Sequence, residues 1–115
     1  MTNQDENKMP VEKLIAYQVA HELLQLVARS QIRDPKLREQ AMKAAQSTML
    51  NIAEAVGRWS GADRIRVFRI ARGECTEVFA ALDIAELSGS CDAAIAAKAR
   101  AQSGRLYALL TGLTR

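Results

Sequence analysis

Arginine is concentrated in one short stretch of the sequence, residues 58–72. The stretch contains Arg58, Arg64, Arg66, Arg69 and Arg72. Clustered guanidinium groups are the side chains expected on a surface that binds the phosphates of nucleic acids. Several of these arginines fall at the start of a predicted helix, where each cation opposes the helix dipole by about 0.3–1 kcal/mol within the first turn. Because helix stability gives little reason for this arrangement, the pattern favours an anionic partner.

A second group of polar residues has helical spacing just before the arginines. Asn51, Glu54 and Arg58 stand at positions i, i+3 and i+7 and therefore share one helical face. We expect them, together with Glu77, to form a structural polar network within the subunit or against a neighbouring helix or subunit. The alternative is an ordinary solvated face with a Glu54–Arg58 ion pair, which would contribute about 0.2–0.5 kcal/mol.

The same residues could also be read as a catalytic site. Glu54 and Glu77 could act as an acid–base pair near Arg58 and His21. However, the sequence shows no nucleophile–base spacing, phosphate-binding loop or metal-ligand motif. Since a structural network explains the same residues, we expect no enzyme activity, no catalytic residue, no metal and no cofactor.

The composition is that of one globular domain. The chain has 115 residues, of which 49% are hydrophobic and 4% aromatic, with a formal net charge of +3. No apolar run approaches the roughly 20 residues of a membrane-spanning helix, and the polar N-terminus does not resemble a signal peptide. We therefore expect a cytoplasmic protein that does not enter the membrane. Its two cysteines, Cys75 and Cys91, are expected to be reduced thiols, and residues 1–10 are expected to form a flexible lead.

Hydrophobic periodicity predicts four helices, at residues 11–30, 35–57, 61–88 and 91–114. Asp34 followed by Pro35 marks a helix start, and Ser60 with Asp63 has the spacing of a capping box. Ser90 or Asp92 is expected to cap the fourth helix, and Gly57 and Gly89 are expected to end the second and third. The expected core faces include Ile15, Val19 and Leu23 of the first helix; Ala41, Ala45, Thr48, Ile52 and Val56 of the second; Phe68, Ala71, Cys75, Val78, Phe79 and Leu82 of the third; and Ile95, Ala99, Leu106, Leu109, Leu110 and Leu113 of the fourth.

Four helices joined by short loops predict an all-α fold, an antiparallel up-down-up-down bundle over residues 11–115. The third helix carries a second apolar stripe, which consists of Val67, Ile70, Ala81 and Ile84. A helix that is apolar on two faces is usually buried on two sides, so this stripe predicts a subunit interface in a homo-oligomer. The alternative is a set of scattered exposed apolar residues, which is common in monomers.

In such a bundle, one end collects the end of helix two, the start of helix three, the start of helix one and the end of helix four. This basic pole would gather Lys13 and Arg115 with the expected nucleic-acid-binding residues, which are Arg58, Arg64, Arg66, Arg69 and Arg105. The acids at the same end would be Glu12, Glu54 and Asp63. Arg72 lies nearer the core edge and is expected to pair internally. In a cyclic oligomer the basic poles would add to a basic rim suited to phosphates.

The motifs resemble those of a known family. Residues 51–58, Asn-Ile-Ala-Glu-Ala-Val-Gly-Arg, resemble the Asn-Ile-Ala-Glu-Gly-x-Gly-Arg signature of the bacterial four helix bundle proteins, which are the 23S rRNA intervening-sequence or S23 proteins. Residues 68–73 followed by Glu77 resemble the second family motif, and residues 17–23 resemble the first-helix pattern. The sequence departs from the signature at Ala55, where the family prefers glycine.

The resemblance implies a ring-like homopentamer of four-helix bundles. A related protein, the accessory variability protein of diversity-generating retroelements, binds nucleic acid and a reverse transcriptase through a basic surface. We therefore expect a non-enzymatic oligomeric protein that binds RNA or DNA through its basic pole. The alternative is a ring-shaped scaffold that binds a protein partner and has no role with nucleic acid.

Overall fold

The computed structural model describes residues 7–115, and this part of the chain contains four α-helices and no strand. The helices are α1 (Ile15–Arg29), α2 (Pro35–Val56), α3 (Gly61–Leu87) and α4 (Ala93–Leu113). A short 3₁₀ turn, Pro10–Lys13, precedes α1. The first six residues of the expected flexible lead lie outside the described residues. The fold class predicted from the sequence is confirmed.

The helix starts follow the predicted capping residues. A side-chain oxygen of Asp34 accepts hydrogen bonds from the backbone amides of Lys36 (2.9 Å) and Leu37 (3.3 Å). Asp92 accepts from the backbone amide of Ile95 at 3.1 Å and so caps α4. The first helix begins later than predicted because Leu14 is extended (φ −79°, ψ 124°) and separates it from the 3₁₀ turn.

Side-chain contacts show that α3 and α4 run in opposite directions. Arg72, in the first half of α3, contacts Thr111 near the end of α4, whereas Glu86 near the end of α3 contacts Arg100 in the first half of α4. Helix α1 packs against both α2 and α4, and α3 packs against α2 and α4. The four helices therefore form a closed bundle in which each helix has two neighbours.

The core consists of small and branched aliphatic side chains with one aromatic ring, Phe68. Two residues predicted for the core are instead substantially exposed, Ile15 at 54% and Phe79 at 41%. Ile15 begins α1, before the helix is fully covered by its neighbours. Phe79 lies at the α3–α4 surface, where the guanidinium of Arg100 sits 6.0 Å from the centre of its ring.

Val67 and Ala81 are buried in the subunit core, which corrects the predicted interface stripe. Arg72 and Glu86 mark the side of α3 that faces α4, and Val67 and Ala81 lie on a different side of the helix. Because α2 is the other helix that packs against α3, we infer that α2 covers them. Ile70 and Ile84, on the outer face of α3, remain 42% and 53% exposed. Contacts within the subunit therefore account for two of the four residues of the predicted stripe, and Ile70 and Ile84 are the members of the stripe that remain exposed.

The two loops at one end of the bundle are joined by backbone hydrogen bonds. The amide of Asp92 donates to the carbonyl of Ser30 at 2.7 Å, and the amide of Arg33 donates to the carbonyl of Ser90 at 2.8 Å. Gln31 adopts a left-handed conformation (φ +52°), and the next residue, Ile32, is buried in the core. The sequence analysis did not identify Ile32 as a core residue because it follows the first helix rather than lying within it.

Candidate nucleic-acid interface

The basic end of the molecule is built around the turn between α2 and α3. Gly57 ends α2, and its amide donates to the carbonyls of Ala53 (3.3 Å) and Glu54 (3.1 Å). Three residues later Ser60 starts α3, where its hydroxyl accepts a hydrogen bond from the amide of Asp63 at 3.0 Å. The turn therefore has a defined backbone on both sides, and the sequence predicted both of its boundary residues.

Asp63 completes only half of the predicted capping box. Its carboxylate turns outward and contacts two arginines, Arg66 at 2.9 Å and Arg58 at 3.5 Å. Arg58 also pairs with Glu54 one helical turn earlier in α2. The two carboxylates at this turn are thus shared between Arg58 and Arg66, and a linked set of four charged residues closes the turn from α2 to α3.

The other three arginines of the segment, Arg64, Arg69 and Arg72, have no carboxylate partner among the residues that the structure describes. The Nε of Arg64 donates to the backbone carbonyl of Arg58 at 2.8 Å, which holds the turn but leaves the guanidinium charge unpaired. Arg69 is exposed on α3, with no hydrogen bond or ion pair within residues 7–115. Arg72 behaves as predicted, because it donates to the hydroxyl of Thr111 at 3.3 Å and lies 5.5 Å from the ring centre of Tyr107.

The same end of the bundle also carries the start of α1 and the end of α4. Residues 13–16 line a shallow surface depression with Leu109, Gly112 and Leu113. Since Thr111 contacts Arg72 of α3, Lys13 and Arg115 lie at the end that carries the start of α3. This grouping agrees with the predicted basic pole.

The family model for the 23S rRNA-intervening sequence protein matches residues 12–112, which is most of the chain. The chain belongs to this family. A search of curated proteins returned no match. The family match spans all four helices and both motifs, so it supports the resemblance that the residues themselves suggested.

Ala55 is the position at which this family member departs from the expected glycine. Its methyl group is completely buried in the core on the inner face of α2. The core accommodates the methyl group, and the neighbouring Gly57 still provides the helix end. The substitution therefore leaves the α2–α3 turn in place.

Arg105 does not lie at the basic pole of this family member, contrary to the prediction. Thr111, which contacts Arg72, is about 9 Å further along α4 than Arg105, and Arg72 is itself about 16 Å along α3 from Gly61. Arg105 is exposed near the middle of the bundle, level with the centre of α3. The sequence correctly placed Arg105 in the second half of α4. That half is long enough, however, that Arg105 lies well before the end of α4 and therefore far from the α2–α3 turn.

The predicted polar network is also smaller than expected. The side-chain amide of Asn51 donates to the carbonyl of Ser47 at 2.9 Å and not to the Glu54–Arg58 pair. Glu77 is exposed on α3, where it adjoins Glu74. Partial burial and the Glu77 charge raise the pKa of the Glu74 carboxyl above its ordinary value, in that order of importance. Within the subunit, the network therefore consists of Glu54, Arg58, Asp63 and Arg66.

The sequence analysis missed Trp59, which stands at the centre of the turn and is 99% exposed. It is the chain's single tryptophan and lies between Arg58 and Ser60. A signal was present, because a large aromatic residue between a helix-ending glycine and a helix-capping serine has no core face on which to lie.

Residues 7–115 contain no group of three or more histidine, cysteine, aspartate or glutamate residues placed to hold a metal ion. They also contain no helix that combines the length and apolar character needed to cross a membrane. His21, the one histidine, is exposed on α1.

Proposed function

We propose that this family member is a non-enzymatic, oligomeric protein that binds nucleic acid through the basic end of its bundle. The proposed contact residues are Arg58, Arg64, Arg66 and Arg69, with Lys13 and Arg115 on the adjoining helix ends. The observation that carries the proposal is the unpaired charge of Arg64 and Arg69, for which the described part of the chain offers no carboxylate. Arg105, originally grouped with them, is left out because it lies near the middle of α4.

Local charge supports an anionic partner. Arg58 and Arg66 share the two carboxylates of this turn, Glu54 and Asp63. The positive charge of Arg64 is therefore unmatched, and Arg69 adds a second unmatched charge. A single subunit of this kind would be a weak phosphate site, because exposed charges are screened within about 10 Å at 0.1 M salt. Several copies in one assembly would bring enough cations together for measurable affinity, since each neutralised phosphate adds to the binding free energy.

Assembly is therefore part of the proposal. Ile70 and Ile84 are separated by four helical turns on the outer face of α3 and are both substantially exposed. We propose that this face contacts another copy of the chain. A homopentamer is the expected assembly, because the family resemblance implies one. The proposed role of the basic end does not require five subunits, but it does require that several subunits hold their basic ends together.

The direct test is a fluorescence-anisotropy titration of labelled RNA and DNA at several salt concentrations. The wild-type protein is compared with an Arg64→Gln, Arg69→Gln double variant. A matched control is Arg29→Gln, Lys36→Gln, which removes two exposed cations at the opposite end of the bundle. Circular dichroism checks that every variant remains folded, because Arg64 also holds the turn.

We expect binding at low salt that weakens as salt rises. The slope of log affinity against log salt should be near −0.9 per phosphate contact for duplex DNA and near −0.7 for single strands. The double variant should bind less tightly with a shallower slope, and the control should resemble wild type. Equal binding by all three proteins would contradict the proposed surface. The absence of binding in wild type would favour the alternative, a scaffold whose partner is a protein.

A further inference from the structure

Trp59 is the feature of the basic end that phosphate binding alone does not explain. Its side chain is 99% exposed, whereas Leu87, the next most exposed large hydrophobic residue in the described part of the chain, is 81% exposed. An indole that stays in water does not stabilise the fold, because an aromatic side chain stabilises a protein by being removed from water. Its position on the surface therefore calls for a partner outside the subunit.

The backbone that carries Trp59 is held firmly on both sides. On the N-terminal side, the amide of Arg58 donates to the carbonyl of Ala55 at 3.1 Å. On the C-terminal side, the amide of Arg64 donates to the carbonyl of Ser60 at 3.0 Å. The side chain of Arg64 then reaches back to the carbonyl of Arg58 at 2.8 Å and bridges across Trp59. An aromatic ring on such a preorganised turn loses little further backbone freedom when it binds.

The groups around the turn indicate the chemistry of the partner. The side chains linked across it are Arg58, Asp63, Arg64 and Arg66, and the unmatched charge among them is positive. An exposed aromatic ring beside unmatched guanidinium groups combines the two elements with which proteins hold single-stranded nucleic acid, a stacking surface for bases and cations for the backbone. A protein partner that inserted apolar side chains would instead be expected to meet apolar neighbours around the indole.

We propose that Trp59 stacks on an unpaired base, so that the substrate class of the basic end is single-stranded or locally unpaired nucleic acid. This inference rests on the proposed function and narrows it. Duplex bases are already stacked on one another, so the indole could enter only at the cost of unstacking a base step, a cost that an unpaired base does not impose. Arg64 and Arg69, which follow Trp59 on α3, would contact phosphates next to the stacked nucleotide, a role that fits their lack of a carboxylate partner.

Intrinsic fluorescence offers a direct test, because Trp59 is the only tryptophan. The wild-type protein is titrated at low salt with a 12-nucleotide oligouridylate or oligothymidylate and, separately, with a 12-base-pair duplex. Stacking predicts saturable quenching of the indole by the single strands and little quenching by the duplex. Affinities of Trp59→Ala and Trp59→Phe are then measured by anisotropy of a labelled single strand, where the loss of the fluorophore does not matter.

Trp59→Ala should weaken single-strand binding about five- to a hundredfold, the range expected for the loss of one base–aromatic stack. It should change duplex binding by less than about twofold, and Trp59→Phe should recover part of the loss. Leu87→Ala, which removes an exposed apolar side chain at the other end of α3, is the matched control and should bind like wild type. Because Trp59 makes no core contact, its variants should melt at the wild-type temperature.

The outcomes separate this inference from the proposed function. Single-strand binding that is unchanged in Trp59→Ala would overturn the stacking role and leave the basic surface standing. No binding of any nucleic acid by wild type would overturn both. A blue shift of the indole emission that grows with protein concentration, without nucleic acid, would show that a second copy covers Trp59, and this too would overturn the stacking role.

Discussion

The thiol of Cys75 donates a hydrogen bond to the backbone carbonyl of Ser103 across a distance of 3.2 Å. This contact joins the middle of α3 to the middle of α4, and both residues are buried. Burial raises the pKa of the Cys75 thiol from 9.0 to about 11, and a backbone hydrogen bond from Tyr107 offsets part of that rise. The folded protein therefore holds this thiol in its neutral form well above the pH at which a free cysteine ionises.

This relationship predicts a loss of stability in alkaline solution. Between pH 9 and pH 11 the unfolded chain releases the Cys75 proton while the folded chain retains it, so the free energy of unfolding falls as pH rises. The loss attributable to Cys75 should reach about 2–3 kcal/mol by pH 11. Urea denaturation at pH 8, 9, 10 and 11 measures it, and Cys75→Ala should show a smaller decline than wild type.

The matched control for this experiment is Cys91→Ala. Cys91 is a free thiol like Cys75, but it lies half-buried in the connection between α3 and α4. Partial burial and the charges of Glu86 and Asp92 also raise the pKa of the Cys91 thiol. Because Cys91 is more exposed than Cys75, its contribution to the alkaline loss of stability should be smaller. Parallel declines in wild type and Cys75→Ala would show that other groups, not this thiol, govern the alkaline behaviour.

Glu54→Ala should be only mildly destabilising. The side chain of Glu54 is 51% exposed and that of Arg58 is 38% exposed, so removing the pair leaves Arg58 in contact with water and with Asp63. For such an exposed pair the expected cost is under about 1 kcal/mol, in contrast with the roughly 3–5 kcal/mol of a broken buried pair. A thermal melt compares the variant with wild type. A cost in the buried range would mean that another subunit covers this pair.

Replacing Gln31 by glycine should keep or raise the stability of the protein, whereas replacing it by a β-branched residue should lower the stability. Its left-handed backbone (φ +52°) strains any side chain, and most of all one that is branched at Cβ. Gln31→Gly should leave stability unchanged or raise it by up to about 1 kcal/mol, and Gln31→Val should lower it by about 1–2 kcal/mol. Equilibrium denaturation measures both.

Gly89 provides an internal comparison in the α3–α4 connection, which adjoins the loop that holds Gln31. It is also left-handed (φ +65°), and a Cβ atom added there would meet no atom within 4 Å. Gly89→Ala should therefore be destabilising through backbone strain alone, by about 1 kcal/mol. If Gly89→Ala melts like wild type, the left-handed conformations are not the source of strain at either loop.

Assembly should depend on the outer face of α3. Ile70→Glu and Ile84→Glu each place a charge on an exposed side chain that we propose to be covered by another copy. Light scattering should give a multiple of the subunit mass for wild type, and we expect a multiple of five. Each variant should give a smaller species. Leu50→Glu, at a 70% exposed position on α2, is the control. A wild-type monomer at micromolar concentration would contradict the proposed assembly, and dissociation by Leu50→Glu alone would place the interface on another face.

Local sequence determined the helices of this protein and most of their ends. Asp34, Ser60 and Asp92 each accept backbone amide bonds at a helix start, because a capping side chain acts within three residues of its own position. The fold class and the family followed from the same local patterns, since hydrophobic periodicity and short motifs are properties of contiguous residues. The internal pairing of Arg72 was also predictable from its place at the edge of the core face.

Tertiary structure decided which side of each helix is covered and which charges meet. Val67 and Ala81 are buried because α2 packs beside them, and a helical wheel of α3 alone does not contain the position of α2. Arg105 is far from the α2–α3 turn because of the register between α3 and α4, which the Arg72–Thr111 contact reveals. Asp63 contacts Arg66 one helical turn later in α3, which is a local contact, but it also contacts Arg58 because the α2–α3 turn brings that arginine within ion-pair distance. That same turn leaves Trp59 99% exposed. Its position between a helix-ending glycine and a helix-capping serine indicated a place off the core, but the packing of the turn decided how far the ring is exposed.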